Sequence, residues 1–203
     1  MKCDYINVVG AMTGTSMDGI DLSIVKTNGS ELFNKKNFYH KFNLNSKNEL
    51  LNILKNKFLI ISNPNLKEKA DKFVTKLHFN ALKKLNSDSE FDLIGFHGQT
   101  IFHDPQNKIS LQLGDPYLLS NMMNKNVIYD FRSNDLKNGG QGAPLSPIYH
   151  KYIIKKNKLP LPSCIVNIGG VSNLTYWDEK KLIGFDVGPG NALLDDFIRK
   201  KIN

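Results

Sequence analysis

Gly10-Ala-Met-Thr-Gly-Thr-Ser-Met-Asp-Gly-Ile-Asp21 decides the reading of this chain. An apolar run precedes it (Tyr5, Ile6, Val8, Val9), and Ile20, Leu22 and Ile24 alternate with polar residues after it. That pattern predicts strand, tight turn, strand. The turn carries Gly14, Thr15, Ser16, Met17, Asp18, Gly19, Ile20 and Asp21. Glycine lets backbone amides approach a ligand, consecutive amides form an anion nest, and hydroxyls add donors. A carboxylate such as Asp18 can hold a metal directly or through water. A phosphate clamp and an ordinary polar hairpin turn are both consistent with these residues alone.

Composition narrows the class. The chain has 203 residues, 40% of them hydrophobic and 23% charged, which suits one large or two small globular domains. No apolar run approaches the length of a membrane span, so no membrane partner is expected. The N-terminus has no signal-peptide pattern, and the expected location is cytoplasmic. Cys3 and Cys164 form no CxxC, and Cys164, in an apolar run, is expected in a core. The formal charge of +8 invites a nucleic-acid reading, but only Arg132 and Arg199 are arginine. The lysines are scattered among asparagines with no basic face, so no nucleic-acid partner is expected.

Outward from the hairpin, Glu31 to Asn43 predicts a third strand interrupted at Lys35 and Lys36. Asn45-Ser46 is expected to cap a helix running through Leu50, Leu51, Leu54 and Phe58. A longer helix carries Phe73, Val74, Leu77, Ala81, Leu82 and Leu85, with His78 expected at the boundary of its apolar stripe. Phe91 to Phe96 reads as a buried strand ending in His97-Gly-Gln-Thr100. Open α/β sheets place ligands where such strands end, and His97, Gln99 and Thr100 suit hydroxyl-rich ligands. Ser110 to Gly114 is a second strand, Asp115-Pro116 opens a helix, and Asn126 to Asp130 is a third strand. This alternation implies a mainly parallel sheet. Arg132 follows its last strand and can hold a carboxylate bidentately or pair with Asp130 or Asp135 at the surface.

Asn138-Gly-Gly-Gln-Gly-Ala-Pro144 is the clearest break and suits a hinge. A helix from Leu145 to Ile154 follows, then strands at Ser163–Ile168, Val171–Trp177 and Leu182–Phe185. These repeat the opening meander and point to two similar domains. The last strand runs into Asp186-Val-Gly-Pro-Gly-Asn191 and then a helix. A glycine turn feeding a helix N-terminus is an anion site, here at Gly188, Gly190 and Asn191. The neighbouring Asp186 has two natural jobs, holding a metal or taking a proton from a nucleophile.

Seven motifs in order carry a resemblance. They are Gly-Thr-Ser-Met-Asp-Gly-Ile-Asp, His-Gly-Gln-Thr, Leu-Gln-Leu-Gly-Asp, Asp-Phe-Arg, Gly-Gly-Gln-Gly-Ala-Pro-Leu, Asn-Ile-Gly-Gly-Val-Ser-Asn and Phe-Asp-Val-Gly-Pro-Gly-Asn. Together they resemble the anhydro-N-acetylmuramic acid kinases. The resemblance implies an α/β, actin-like (ribonuclease H-like) ATPase fold with mixed sheets flanked by helices and two related domains. The domains are expected at 1–137 and 163–203, with a hinge and linker helix at 138–162 and the second domain incomplete. It implies ATP and Mg²⁺ as cofactors and an amino sugar, anhydro-N-acetylmuramic acid, as substrate. The 1,6-anhydro ring would be opened by water and O6 phosphorylated, in recycling of cell-wall peptidoglycan. By resemblance Gly14 to Asp21, Gly188, Gly190 and Asn191 contact ATP phosphates, and Asp186 is the catalytic base. His97, Gln99, Thr100 and Arg132 lie on the sugar side, Arg132 also among the catalytic residues, and Asp18 and Asp186 are the metal candidates, with Asp21 a further one. Family members are longer, so this chain is expected to be a partial product, inactive unless a homodimer or a complementing chain completes it.

Overall fold

The computed structural model describes residues 4–14, 16–86 and 90–202. Thr15 and Cys3, both singled out above, lie outside the described residues. The opening meander forms as its alternation requires. Strands β1 (Ile6–Thr13), β2 (Gly19–Thr27) and β3 (Leu32–Lys41) pair antiparallel in sequence order. Along β2, Ile20, Leu22 and Ile24 are buried while Asp21 is exposed, as a strand with one covered face demands. The expected interruption at Lys35 is a bulge: Ile24 pairs with Lys36 and Val25 with Asn34, leaving Lys35 as the extra residue of an unbroken strand.

Helices α1 (Leu44–Lys55), α2 (Lys57–Ser62) and α3 (Pro64–Asn86) follow. The cap of α1 is Asn43, whose Oδ1 accepts from the Ser46 amide at 2.8 Å, not Asn45-Ser46. The helix stops at Asn56 rather than running through Phe58, which is exposed in α2. On α3 the buried stripe is Val74, His78, Ala81, Leu82 and Leu85. His78 is therefore a core residue and not a boundary one. Both ring nitrogens are satisfied inside: Nδ1 donates to the Val74 carbonyl at 2.9 Å, and Nε2 accepts from the Thr13 hydroxyl at 3.1 Å. Its ring also meets Phe96 edge-on at 4.9 Å. A hydrogen-bonded, neutral imidazole can be buried where a charged one cannot.

Strand β4 (Leu93–Asp104) does not end at His97 but continues to Asp104, twelve residues in all. Its first half pairs parallel with β1 and with β6 (Asn126–Ile128), and its second half pairs antiparallel with β5 (Ile109–Leu113). The change of partners occurs around Gly98, whose φ of +70° suits glycine. A Cβ there would strike the Leu113 carbonyl. Since β5 returns as a hairpin, the mainly parallel pairing expected over 91–130 is corrected, and the sheet is mixed as the fold class requires, in the order β3-β2-β1-β4 with β5 and β6 both on β4. Helix α4 (Pro116–Met123) begins as expected, with Asp115 accepting from the Tyr117 and Leu118 amides at 2.9 Å. Leu119 is its buried residue, whereas Met122 is exposed.

The chain clusters into two units, Met1–Ser133 and Asn134–Asn203, with the short helix α5 (Ser133–Lys137) at the boundary. The second unit holds α6 (Pro147–Lys156), an antiparallel sheet β7 (Ser163–Ile168), β8 (Val171–Trp177), β9 (Leu182–Pro189), and α7 (Ala192–Ile202). Helix α6 packs on this sheet through His150, whose Nδ1 meets the Thr175 hydroxyl at 2.7 Å. Cys164 is exposed, correcting its expected burial, because it sits on β7, an edge strand with little cover among the described residues.

Candidate functional site

The first hairpin turns at Gly14 to Asp18, and the Met17 amide donates to the Gly14 carbonyl at 3.2 Å. Met17 and Ile20 bury their side chains in the core, so only their backbone can face a ligand. Asp18 and Asp21 stay exposed. Burial acts to raise the Asp18 carboxyl. Hydrogen bonds from Ser16 at 2.5 Å, from its own backbone and from Tyr39, with the Lys47 charge, outweigh that and hold it below its usual range. Asp21 is pushed the other way, by burial and then by the charge of Asp18. Two neighbouring carboxylates, one raised by the other, suit Mg²⁺, which takes one or two carboxylates and completes its shell with water and phosphate. No group of three potential metal ligands occurs among the described residues.

Tyr39 belongs to this turn and was missed from the sequence. It pairs across the strands with Asp21, bonds Asp18, and lies over Gly19, where a Cβ would come within 2.5 Å of its ring. Hairpin register was the signal that could have found it.

His97 and Arg132 meet. The Arg132 Nε and Nη2 donate to His97 Nε2 at 3.1 and 2.8 Å, while Nδ1 donates to the Gly98 carbonyl at 3.0 Å. Those contacts fix the tautomer with Nε2 as acceptor. Burial, then the Arg132 charge, lowers the His97 pKa to about 4, so the ring is neutral at physiological pH. Arg132 is only 9% exposed, and the surface alternative for it is set aside. The Asp130 carboxylate accepts from the Ser133 amide and that of Asp135 from the Gly142 amide. Thr100 accepts from Gln112 Nε2 at 3.2 Å. Gln99 is buried; its Nε2 donates to the Thr100 carbonyl, and its Oε1 has no hydrogen-bond partner among the described residues. A cavity of about 240 Å³ opens beside His97, lined also by Ser110, Gln112, Tyr129, Asp130 and Ser133. These polar residues, mostly on β5 and after β6, were not anticipated.

In the second unit Asp186 is exposed on β9, opposite Asn173, at a bulge that leaves Val187 as the extra residue. Bulges often re-aim side chains beside sites. The glycine turn beyond it is not a set of free amides. Gly190 and Asn191 donate to the Gly170 and Gly169 carbonyls at 2.9 and 2.8 Å, and Ala192 donates to Gly170 at 3.4 Å. A Cβ on Gly190 would strike the Gly169 carbonyl, so this glycine is set by turn-on-turn packing. Gly188 has open space where a Cβ would stand.

A family model described as anhydro-N-acetylmuramic acid kinase matches residues 6–203. The chain belongs to this family. Among curated anhydro-N-acetylmuramic acid kinases, that of Pelagibacter ubique is 44% identical over 97% of this chain and 55% of its own length. That of Bradyrhizobium diazoefficiens is 36% identical over 98% of this chain and 57% of its own. The chain thus spans about half the length of the curated kinases it matches. Among solved structures, the Aquifex aeolicus PPX-GPPA enzyme aligns with 95% of this chain and 56% of its own, at 11% identity and a TM-score of 0.41. The mixed sheet flanked by helices agrees with the actin-like α/β class expected of the kinase family. Among the described residues, no helix is long and apolar enough to cross a membrane.

Proposed function

We propose that this chain carries the chemistry of its family: ATP-dependent conversion of anhydro-N-acetylmuramic acid to N-acetylmuramic acid 6-phosphate, in cell-wall recycling. The observation that carries the reading is the family match from residue 6 to residue 203, which takes in both the first hairpin and the Asp186 turn. Residues 1–137 act as the first domain, 138–162 as hinge and linker, and 163–203 as the start of the second. Gly14 to Asp21 holds the ATP phosphates, largely through backbone, and Gly188, which has the open approach, adds the second phosphate contact, while Gly190 and Asn191 shape that turn through their bonds to Gly170 and Gly169. Asp18 with Asp21, or Asp186, would hold Mg²⁺, which would supply charge neutralisation at the transferring phosphoryl group.

Asp186 takes a proton from water as the water oxygen bonds the anomeric carbon. The bond from that carbon to O6 breaks, and O6 keeps the electron pair. O6 then bonds the γ-phosphorus, the bond to the β,γ-bridging oxygen breaks, and ADP leaves. Arg132, held flat by neutral His97, faces the substrate's carboxylate, and Thr100 and Gln99 serve its hydroxyls. A neutral His97 leaves the cationic charge on Arg132 alone, which favours an anionic group there.

The test supplies anhydro-N-acetylmuramic acid, ATP and Mg²⁺ and follows the sugar phosphate by mass spectrometry, with Asp186→Asn and glucose as controls. Product from the anhydro sugar is expected once a second copy or a complementing chain completes the site, and is lost by several orders of magnitude in Asp186→Asn. Equal turnover of glucose, or full activity in Asp186→Asn, refutes the assignment.

A further inference from the structure

A second cavity, of about 610 Å³, lies in the first unit between the end of β3, the first turn of α1 and the last turns of α3. His40 and Lys41 line it from β3, Asn43 and Ser46 from the start of α1, and Asn80, Lys83 and Lys84 from α3, above a floor of Phe42 and Leu77. Three ammonium groups and an imidazole thus surround it, and none of its described lining residues is acidic. The first turn of the twelve-residue α1 adds the positive end of a helix dipole. Asn43, Ser46 and Asn80 supply neutral hydrogen-bonding groups that orient a ligand rather than merely attract it.

The cavity does not belong to the first hairpin turn. His40 pairs with the buried Ile20 and shares its helix-covered face, whereas Tyr39 pairs with the exposed Asp21 on the other. Size also separates it from a simple ion site: several hundred cubic ångströms suits a whole small molecule. We propose that this cavity binds a phosphorylated small molecule, its phosphate held by Lys41, Lys83 and Lys84 and its uncharged body over Phe42 and Leu77. The charge of Lys84 reaches His40, which burial and then that charge keep neutral at physiological pH, so the imidazole serves as a hydrogen-bonding group and the lysines carry the charge.

The test titrates the 203-residue protein with glucose 6-phosphate, inorganic pyrophosphate and glucose, following backbone amide shifts by NMR at low and physiological salt. The expected result is saturable shifts at residues 40–46 and 77–84 with glucose 6-phosphate, weakened by salt and absent with glucose. Lys83→Gln with Lys84→Gln changes two exposed side chains and lowers the affinity at least about tenfold. Pyrophosphate that binds as tightly as glucose 6-phosphate replaces the proposed ligand class with bare polyanions. Shifts confined to residues 14–21, binding that survives the double substitution, or no saturation at millimolar probe overturns the proposal.

Discussion

Replacing His78 with glutamine tests how the core of the first unit is built. His78 is fully buried, and its pKa falls from 6.5 to about 4, chiefly because burial disfavours the imidazolium. The folded value is depressed, so the unfolded chain takes up the proton first as pH falls. The stability this residue contributes is therefore intact above about pH 6.5 and is lost as pH drops toward 4. Between pH 7 and pH 4 the loss from this one site is about 3 kcal/mol. His97 is depressed into the same window, so the parent slope contains both residues, and the substitution isolates one. Glutamine keeps a donor and an acceptor but does not titrate. His78→Gln should cost about 1–3 kcal/mol at neutral pH, through imperfect bonds to Val74 and Thr13. Its stability should then fall by about 3 kcal/mol less than the parent's on acidification. Urea denaturation by far-UV circular dichroism across that range, with hydrogen exchange on peptides from α3, reads both quantities. A variant with the parent's pH slope would refute the burial argument, as would a His78 imidazole titrating near 6.5 by NMR in the folded protein.

Other outcomes follow from the same geometry. Gly98→Ala puts a methyl on the Leu113 carbonyl at a positive φ and should destabilise the β4–β5 hairpin by more than about 2 kcal/mol, measurable in thermal melts. Tyr39→Phe removes one of the bonds that lower Asp18, so the Asp18 carboxyl should titrate higher by carbon-detected NMR; an unchanged value would discount the Tyr39 contact. Gly190→Ala should release the Gly190 and Asn191 amides from the Gly169-Gly170 turn, seen as faster hydrogen exchange there, while Gly188→Ala should leave that exchange unaltered.

Where a single local rule governs, the chain could be read directly. Alternation along β2 set its buried face, and Asp115-Pro116 set the start of α4. The second meander was visible because its strands and glycine turns repeat those of the first. The pairing of His97 with Arg132 was partly legible, since both follow the ends of paired apolar runs, and the register of Gly95 with Ile128 brings the two segments level. What failed depended on partners distant in sequence. His97-Gly-Gln-Thr100 reads as a loop by composition, yet pairing with β5 keeps it extended. His78 looks polar in a helical stripe until Thr13, sixty-five residues away, takes its Nε2. The amides of Gly190 and Asn191 look free for an anion until the neighbouring turn claims them. Cys164 looks like core because apolar runs usually are, and only the edge position of β7 says otherwise.

The parallel pairing of β1 with β4 joins Val8 to Leu93, so synthesis separates the two by most of the first unit. A ribosome adding about 5–20 residues per second takes roughly 3 to 10 seconds to go from Lys41, where β3 is complete, to Leu93, and the β1 edge stays open until then. Through that interval a three-stranded ribbon carries bare amides and carbonyls along Val8 to Met12, an invitation to stray strands. Slower translation through residues 44–92, or scarce chaperones, should therefore lower the soluble yield of this protein more than that of a chain whose first strand pairs only with its immediate successor.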